Sequence, residues 1–157
     1  PEVFQQNNNH KSVIMFLDKA ELKTVATDEI INKIINNDDS IVTDIILESI
    51  DVVSTYLYQY FDTEAIFSKT GDDRNKTILK HLKGIVIYEI YTRRTKIMNE
   101  VAKSRYDEAM LWLEKVSEGK IKPPLPIRAL DTDGDGTPDT PTTFLKLGSN
   151  KKYQNHF

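Results

Sequence analysis

Apolar residues recur every three or four positions in three long stretches of the chain, which is the spacing of amphipathic helices. The first stretch follows the cap-forming cluster Asn37-Asp38-Asp39-Ser40 and predicts a long helix over about 40 to 60. Its apolar positions are Val42, Ile46, Ile50, Val53, Leu57 and Tyr60. Because β-branched residues are common in this stretch, we expect packing against neighbours, more than intrinsic propensity, to stabilise the helix.

Two more long helices are predicted downstream. The cap-forming cluster Thr70-Gly71-Asp72-Asp73 precedes one that ends near Arg93-Arg94, and the other runs from about Asn99 to Glu118, with Gly119 in the C′ position. Their apolar stripes are Ile78, Leu82, Ile85, Val86 and Ile90, and then Ala102, Tyr106, Ala109, Leu113 and Val116. Both helices therefore have a face for a shared core.

Shorter helices are predicted near the N-terminus. Asp18-Lys19-Ala20-Glu21 has the sequence of a capping box, and Thr27-Asp28-Glu29-Ile30 is a second helix start. We therefore predict an all-α fold, a bundle of four to five helices. Among the residues expected in its core are Ile46, Val53, Leu57, Leu82, Ile85, Tyr106 and Leu113.

Proline placement divides the chain. Five of the six prolines lie at or beyond Pro123, so a boundary is expected near Lys122. We predict an N-terminal arm over 1–14, a helical body over 15–122 and an extended C-terminal tail over 123–157. The polar, Asn- and Gln-rich arm has too little apolar surface to order itself without a partner.

Composition excludes several classes of function. A net charge of −3 argues against a dedicated duplex-DNA binder, and the lack of cysteine excludes disulfide scaffolds and thiolate chemistry. No apolar run is long enough to span a membrane, so no membrane partner is expected. The chain has no nucleophile elbow, phosphate loop or HExxH motif, and we predict that it is not an enzyme.

An acidic loop in the tail is the sharpest local motif. Its carboxylates follow the 1, 3, 5 and 9 positions of a calcium loop, and Gly136 supplies the turn at position 6. These candidate ligands are Asp131, Asp133, Asp135 and Asp139. Thr142 stands where an EF-hand needs a bidentate glutamate. Two interpretations stay open: a local calcium-stabilised loop, or a solvated turn with no cofactor.

Two segments carry candidate docking residues. The string Tyr56-Leu57-Tyr58-Gln59-Tyr60-Phe61 surrounds a helix end with more rings than one core face can bury, so some should face another subunit or the extended segment after Gly119, or else cap the core. The tail interleaves apolar anchors with lysines, which a purely solvating tail does not need. These candidate binding residues are Phe144, Leu145, Leu147, Lys151, Lys152, Tyr153 and Phe157.

Several segments of the chain stand in a characteristic order. They are residues 16–23, 56–62, 74–76, 85–91 and 106–119, together with the ending Gly148-Ser149-Asn150-Lys151-Lys152 and Asn155-His156. This series resembles a Mu-type phage protein family of formally unknown function, itself similar to head–tail connector, or adaptor, proteins of tailed phages.

The resemblance implies a structural virion protein at the portal vertex or neck, assembled in the host cytoplasm. Copies of the subunit would form a twelve-fold ring below the portal protein and present a surface to the next neck or tail protein. DNA would pass through the channel without sequence-specific binding. A non-virion assembly chaperone or another helical protein-binding module is the alternative.

Overall fold

The computed structural model describes residues 15–93 and 99–129, and these residues are mostly helical. The predicted arm over 1–14 and the chain from 130 onward lie outside the described residues. The α-helices are α1 Asp28–Ile35, α2 Asp39–Leu57, α3 Thr63–Phe67, α4 Lys76–Thr92 and α5 Glu100–Ser117. Two 3₁₀ helices cover Lys19–Thr24 and Gly71–Asp73. Since this part of the chain contains no strand, the all-α class is confirmed.

Short polar side chains begin the three long helices. The carboxylate of Asp38 accepts a hydrogen bond from the Ser40 amide at 3.1 Å, and the Asn99 side chain accepts one from Val101 at 2.9 Å. Asn75 begins α4 by accepting from two successive amides, at 3.0 and 3.1 Å. Such bonds satisfy amides that have no partner within the helix.

Helix α4 follows the predicted cap cluster Thr70-Gly71-Asp72-Asp73, but Asn75 is its N-cap. Gly71 takes a positive φ of 58°, so the chain after Thr70 makes only a 3₁₀ turn before Asn75 begins the α-helix. Similarly, the capping box at Asp18 forms, with the Asp18 amide 3.2 Å from Oε2 of Glu21, but it begins a 3₁₀ helix.

Helix α2 ends at Leu57, three residues before the predicted end. Residues 58–60 form a turn, and Asp62 then accepts a hydrogen bond from the Ala65 amide at 2.9 Å. This cap starts the five-residue helix α3, which the apolar pattern did not predict because one turn is too short to show a period.

Helices α2, α4 and α5 pack against one another and form the centre of the core. Six of the seven residues predicted to be buried are so, and Leu82 and Leu113 are fully inaccessible. The exception is Tyr106, which is half-buried and stacks on Tyr88 with 4.2 Å between ring centroids. A phenol at the edge of a core keeps its hydroxyl near water, which favours this position.

Helices α4 and α5 come close together at Gly84. A Cβ atom at this position would lie 3.2 Å from the carbonyl oxygen of Arg105, which is tighter than ordinary packing allows. On the two sides of this crossing, His81 stacks on Trp112 and Tyr88 stacks on Tyr106. Glycine thus allows the two helices to approach closely between the two ring pairs.

Candidate docking site

The aromatic end of helix α2, residues 56–61, divides its rings between the core and the surface. Leu57 and Phe61 are buried, whereas the Tyr58 side chain projects outward and 54% of the residue is exposed. One core face does not take all these rings: Tyr58 stays outside the core, and its ring contacts Arg128 of the segment after α5.

That segment, residues 121–129, is called the strap here. Helix α5 is closed by Gly119, whose φ of 73° is the left-handed conformation expected at C′. The amides of Gly119 and Lys120 donate to the carbonyls of Val116 and Lys115, both at 2.9 Å. The chain can then turn back toward α2, and Leu125 becomes buried against the body.

The strap pairs with the backbone that follows α2. Phe61 and Ile127 form an isolated antiparallel bridge. The Asp62 amide donates to the Pro126 carbonyl at 3.0 Å, and the Arg128 amide donates to the Tyr60 carbonyl at 3.0 Å. Pro126 lacks an N–H but retains its acceptor, so a proline is compatible with this position.

Arg128 completes the contact with the aromatic end. Its guanidinium carbon lies 3.8 Å from the centroid of the Tyr58 ring, and Nη2 donates to the Tyr58 hydroxyl at 2.8 Å. A second nitrogen, Nη1, lies 3.4 Å from the Tyr58 carbonyl oxygen. This pairing of a cation with an electron-rich ring leaves both side chains at the surface. Sequence analysis did not select Arg128, because no local pattern links residues 70 positions apart.

A small cavity of about 170 Å³ lies beneath the strap. Its wall combines apolar residues such as Ile66 and Leu125 with the polar groups of Asp73 and Arg74. Ligand pockets for drug-sized molecules are usually about 300 Å³ or larger. The cavity is therefore smaller than the usual pocket for a drug-sized ligand.

Arg74 fixes the wall of this cavity to the N-terminal segment. Its two terminal nitrogens donate to the two carboxylate oxygens of Glu21, each at 2.7 Å, in the geometry of a bidentate pair. The same guanidinium also donates to the carbonyls of Phe16 and Gly71, both at 2.7 Å. The hydrogen bond from Arg74 is the main reason that the pKa of Glu21 is lowered. Sequence analysis had given Glu21 a role only in helix capping.

The structure does not bear on the other candidate site residues. The four aspartates of the acidic loop, Asp131, Asp133, Asp135 and Asp139, lie outside the described residues. So do the seven tail residues from Phe144 to Phe157. Over 15–93 and 99–129, no three acidic or histidine side chains gather as a set of metal ligands.

A protein-family model matches most of the chain. Residues 8–140 match the family model described as "Bacteriophage Mu, Gp36". The chain belongs to this Gp36 family. The resemblance to a Mu-type phage family is thereby confirmed. The matched range includes the body and the strap but ends before Gly148, where the predicted tail motif begins. Comparisons with curated proteins and with solved structures gave no match.

Membership of the Gp36 family indicates a phage structural or assembly protein. Within the residues that the structure covers, no helix is both long and apolar enough to traverse a lipid bilayer.

Proposed function

We propose that this Gp36-family protein is a head–tail connector that forms a ring below the portal, prolongs the DNA channel and presents a surface for the next neck or tail component. The observation that supports this role is the attachment of the strap at the aromatic end. Arg128 of the strap lies over the ring of Tyr58. The strap, which is the first part of the predicted tail, therefore lies beside the exposed ring of Tyr58 on the surface of the body.

The tail supplies the proposed docking contacts. Phe144, Leu145 and Leu147 would add a strand to an exposed edge of the portal or of a neighbouring subunit, with Tyr153 and Phe157 as buried anchors. Lys151 and Lys152 would meet acidic groups or phosphates at the rim, where each contact contributes modestly and weakens with salt.

The body supplies a rigid support for these contacts. The bidentate pair of Arg74 and Glu21 and the buried Leu125 hold the N-terminal segment and the strap on the same three-helix core. A docking element attached to such a support loses less conformational freedom on binding than a free peptide does.

Deleting residues 142–157 tests the proposal. We expect the melting temperature and helicity to stay nearly unchanged, because the body and strap are intact. Phage carrying only the truncated protein should produce DNA-filled heads without necks, seen by electron microscopy. As a matched control, a polar Gly/Ser replacement of the same length should fail equally, since it restores length but not anchors.

Two results would contradict the proposal. If the truncated protein still completes heads normally, the tail is not the docking element, and Tyr58 at the aromatic end becomes the residue to substitute next. If the protein is absent from purified virions although assembly requires it, an assembly chaperone is the better description. A connector must be present at the stoichiometry of a ring.

A further inference from the structure

Helix α4 carries a basic stripe, defined as Lys76, Lys80 and Lys83, along one side of a surface cleft. The cleft has a volume of about 350 Å³ and is closed on its other side by Arg105 of helix α5. Its remaining lining residues are Thr24, Val25, Leu79, His81, Gly84 and Glu108. The cleft is large enough to take side chains from a neighbouring molecule.

Arg105 donates to the Val25 carbonyl at 3.1 Å, whereas the three lysines of the basic stripe make only weak contacts within the chain. Lys80 pairs with Glu108 at 2.6 Å, but the two side chains are 65% and 56% exposed. Lys76 pairs with the fully exposed Asp72 at 3.0 Å, and Lys83 has the Thr24 hydroxyl at 3.3 Å. Exposed ion pairs contribute little and exchange partners readily. The cleft therefore presents a surplus of positive charge to an incoming acidic group.

Helix α2 carries an acidic stripe with the same spacing, defined as Asp44, Glu48 and Asp51. All three residues are exposed, and the exposed side chain of Leu47 lies among them. In both stripes the charged residues stand at positions i, i+4 and i+7. The first and last charged residues of each stripe are thus seven positions apart, or about 10.5 Å at the helical rise of 1.5 Å per residue.

The two stripes cannot pair within one molecule. Buried residues such as Ile46 and Val53 turn the inner face of α2 toward α4 and α5. The acidic stripe is on the opposite side of α2, so it points away from the helices that form the cleft. Complementary surfaces on different sides of a chain produce head-to-tail contacts between copies, which close into rings when the rotation allows.

We infer that the acidic stripe of one copy docks into the basic cleft of the next copy, with Leu47 approaching the cleft floor at Leu79. This inference rests on the proposed ring and adds the surfaces that build it. Each subunit would present its acidic stripe to one neighbour and its basic cleft to the other, so the same contact repeats around the ring.

Charge reversal tests the pairing. One variant carries Lys80→Glu and Lys83→Glu, and a second carries Glu48→Lys and Asp51→Lys. In sedimentation velocity, each alone should associate more than about tenfold more weakly than the wild type, because like charges then face each other. An equimolar mixture should recover association, since each variant offers the stripe that the other needs.

A matched control keeps the net charge of the first variant but alters residues elsewhere. Lys33→Glu with Lys115→Glu changes two exposed lysines outside the cleft and should associate like the wild type. Circular dichroism of every variant checks that the helices are intact. Wild-type association by either stripe variant alone would overturn the inference.

Cysteine cross-linking gives a second readout, which is clean because the chain contains no cysteine. The double variant Glu48→Cys with Lys80→Cys should form a ladder of disulfide-linked oligomers upon oxidation, whereas either single variant should not extend beyond a dimer. A purified chain at high concentration that gives neither ladder nor self-association overturns the inference.

The outcomes separate this inference from the proposed function. If the protein is present in virions at ring stoichiometry but forms no ladder there, the connector role stands and the pairing fails. If the ladder forms in the purified protein but virions lack it, the pairing stands and the connector role fails. If the cleft variant associates normally but loses retention on duplex DNA, the cleft binds phosphates and the inference is wrong.

Discussion

Two segments outside the long helices are each held by an arginine, but in different ways. Arg74 is nearly buried, with 10% of its side chain exposed, and it donates two parallel hydrogen bonds to the carboxylate of Glu21. Arg128 lies at the surface over Tyr58 and donates to its hydroxyl. The first contact fixes residues 15–24 to the start of α4, and the second fixes the strap to the aromatic end.

The difference shows how one residue type serves two purposes. A bidentate pair with a carboxylate requires one geometry of both partners, so its loss should be felt by the whole body. A guanidinium over an exposed ring can be replaced by a partner's cation or aromatic side chain at small cost. The N-terminal segment therefore behaves as part of the body, whereas the strap can respond to what docks beside it.

Weakening the core that supports both the N-terminal segment and the strap should have the largest effect on stability. Both segments should then be lost in the same unfolding transition. Leu82 is fully buried between the long helices, and Leu82→Ala should lower the free energy of unfolding by about 2–5 kcal/mol. Urea unfolding followed by Trp112 fluorescence and circular dichroism should show one shifted transition. Leu111→Ala, at a residue 51% exposed, is the control and should stay within about 0.5 kcal/mol of the wild type.

Substituting Arg74 should cause the second-largest loss of stability, by weakening the attachment of the N-terminal segment to the body. Arg74→Lys keeps the charge but cannot form the bidentate pair with Glu21. We expect the free energy of unfolding to fall by about 1–2 kcal/mol, a loss reduced by the partial exposure of Glu21. A double-mutant cycle with Glu21→Gln should reveal coupling between the two sites. Lys76→Gln, which breaks an exposed pair, should change stability far less, and equal losses would contradict the distinction.

Lowering the pH should weaken the attachment of the N-terminal segment, but not that of the strap, because only the first depends on the carboxylate of Glu21. The hydrogen bond from Arg74 holds the pKa of this carboxyl below its usual 4.5, so its contribution is complete above that value and is lost as the pH falls through the folded-state pKa. Glu21→Gln should remove this part of the acid sensitivity, measured by urea unfolding at a series of pH values. Glu29→Gln, on the exposed side of α1, should leave it in place.

His81 is a second source of acid sensitivity, which begins at a higher pH than that of Glu21 and must be distinguished from it. Burial lowers the pKa of His81 below 6.5, so the unfolded chain binds a proton before the folded chain does, and stability falls as the pH drops from 6.5 to the folded-state pKa. The measurements with Glu21→Gln should therefore be repeated in a His81→Phe background. An acid profile that Glu21→Gln leaves unchanged in both backgrounds would show that the pair does not stabilise the segment.

Arg128 should have the smallest effect on global stability. Arg128→Ala removes a contact at the surface and should cost about 0.5–1 kcal/mol. Hydrogen exchange of the Asp62 amide, which is bonded to the Pro126 carbonyl, should accelerate while exchange in α4 changes little. Arg128→Lys should give an intermediate result. A loss as large as that from Arg74→Lys would mean that the strap is an integral part of the body.

Local patterns predicted most of the helical architecture. Apolar periodicity gave α2, α4 and α5, and the conformation of Gly119 followed from its place after the last apolar residue. The start of α4 could not be predicted as well, because Thr70 and Asn75 both resemble helix caps in sequence. Only the positive φ of Gly71 shows that the first of them starts a 3₁₀ turn.

By itself, the sequence determined the all-α class and the position of the strap after α5, since periodicity, caps and prolines act over a few residues. Only the tertiary structure decided which side chains meet. Glu21 and Arg74 are 53 positions apart, and Tyr58 and Arg128 are 70 apart. Such pairs depend on how three helices pack around Leu82 and Gly84, and packing distances of this kind are properties of the assembled core rather than of any local segment.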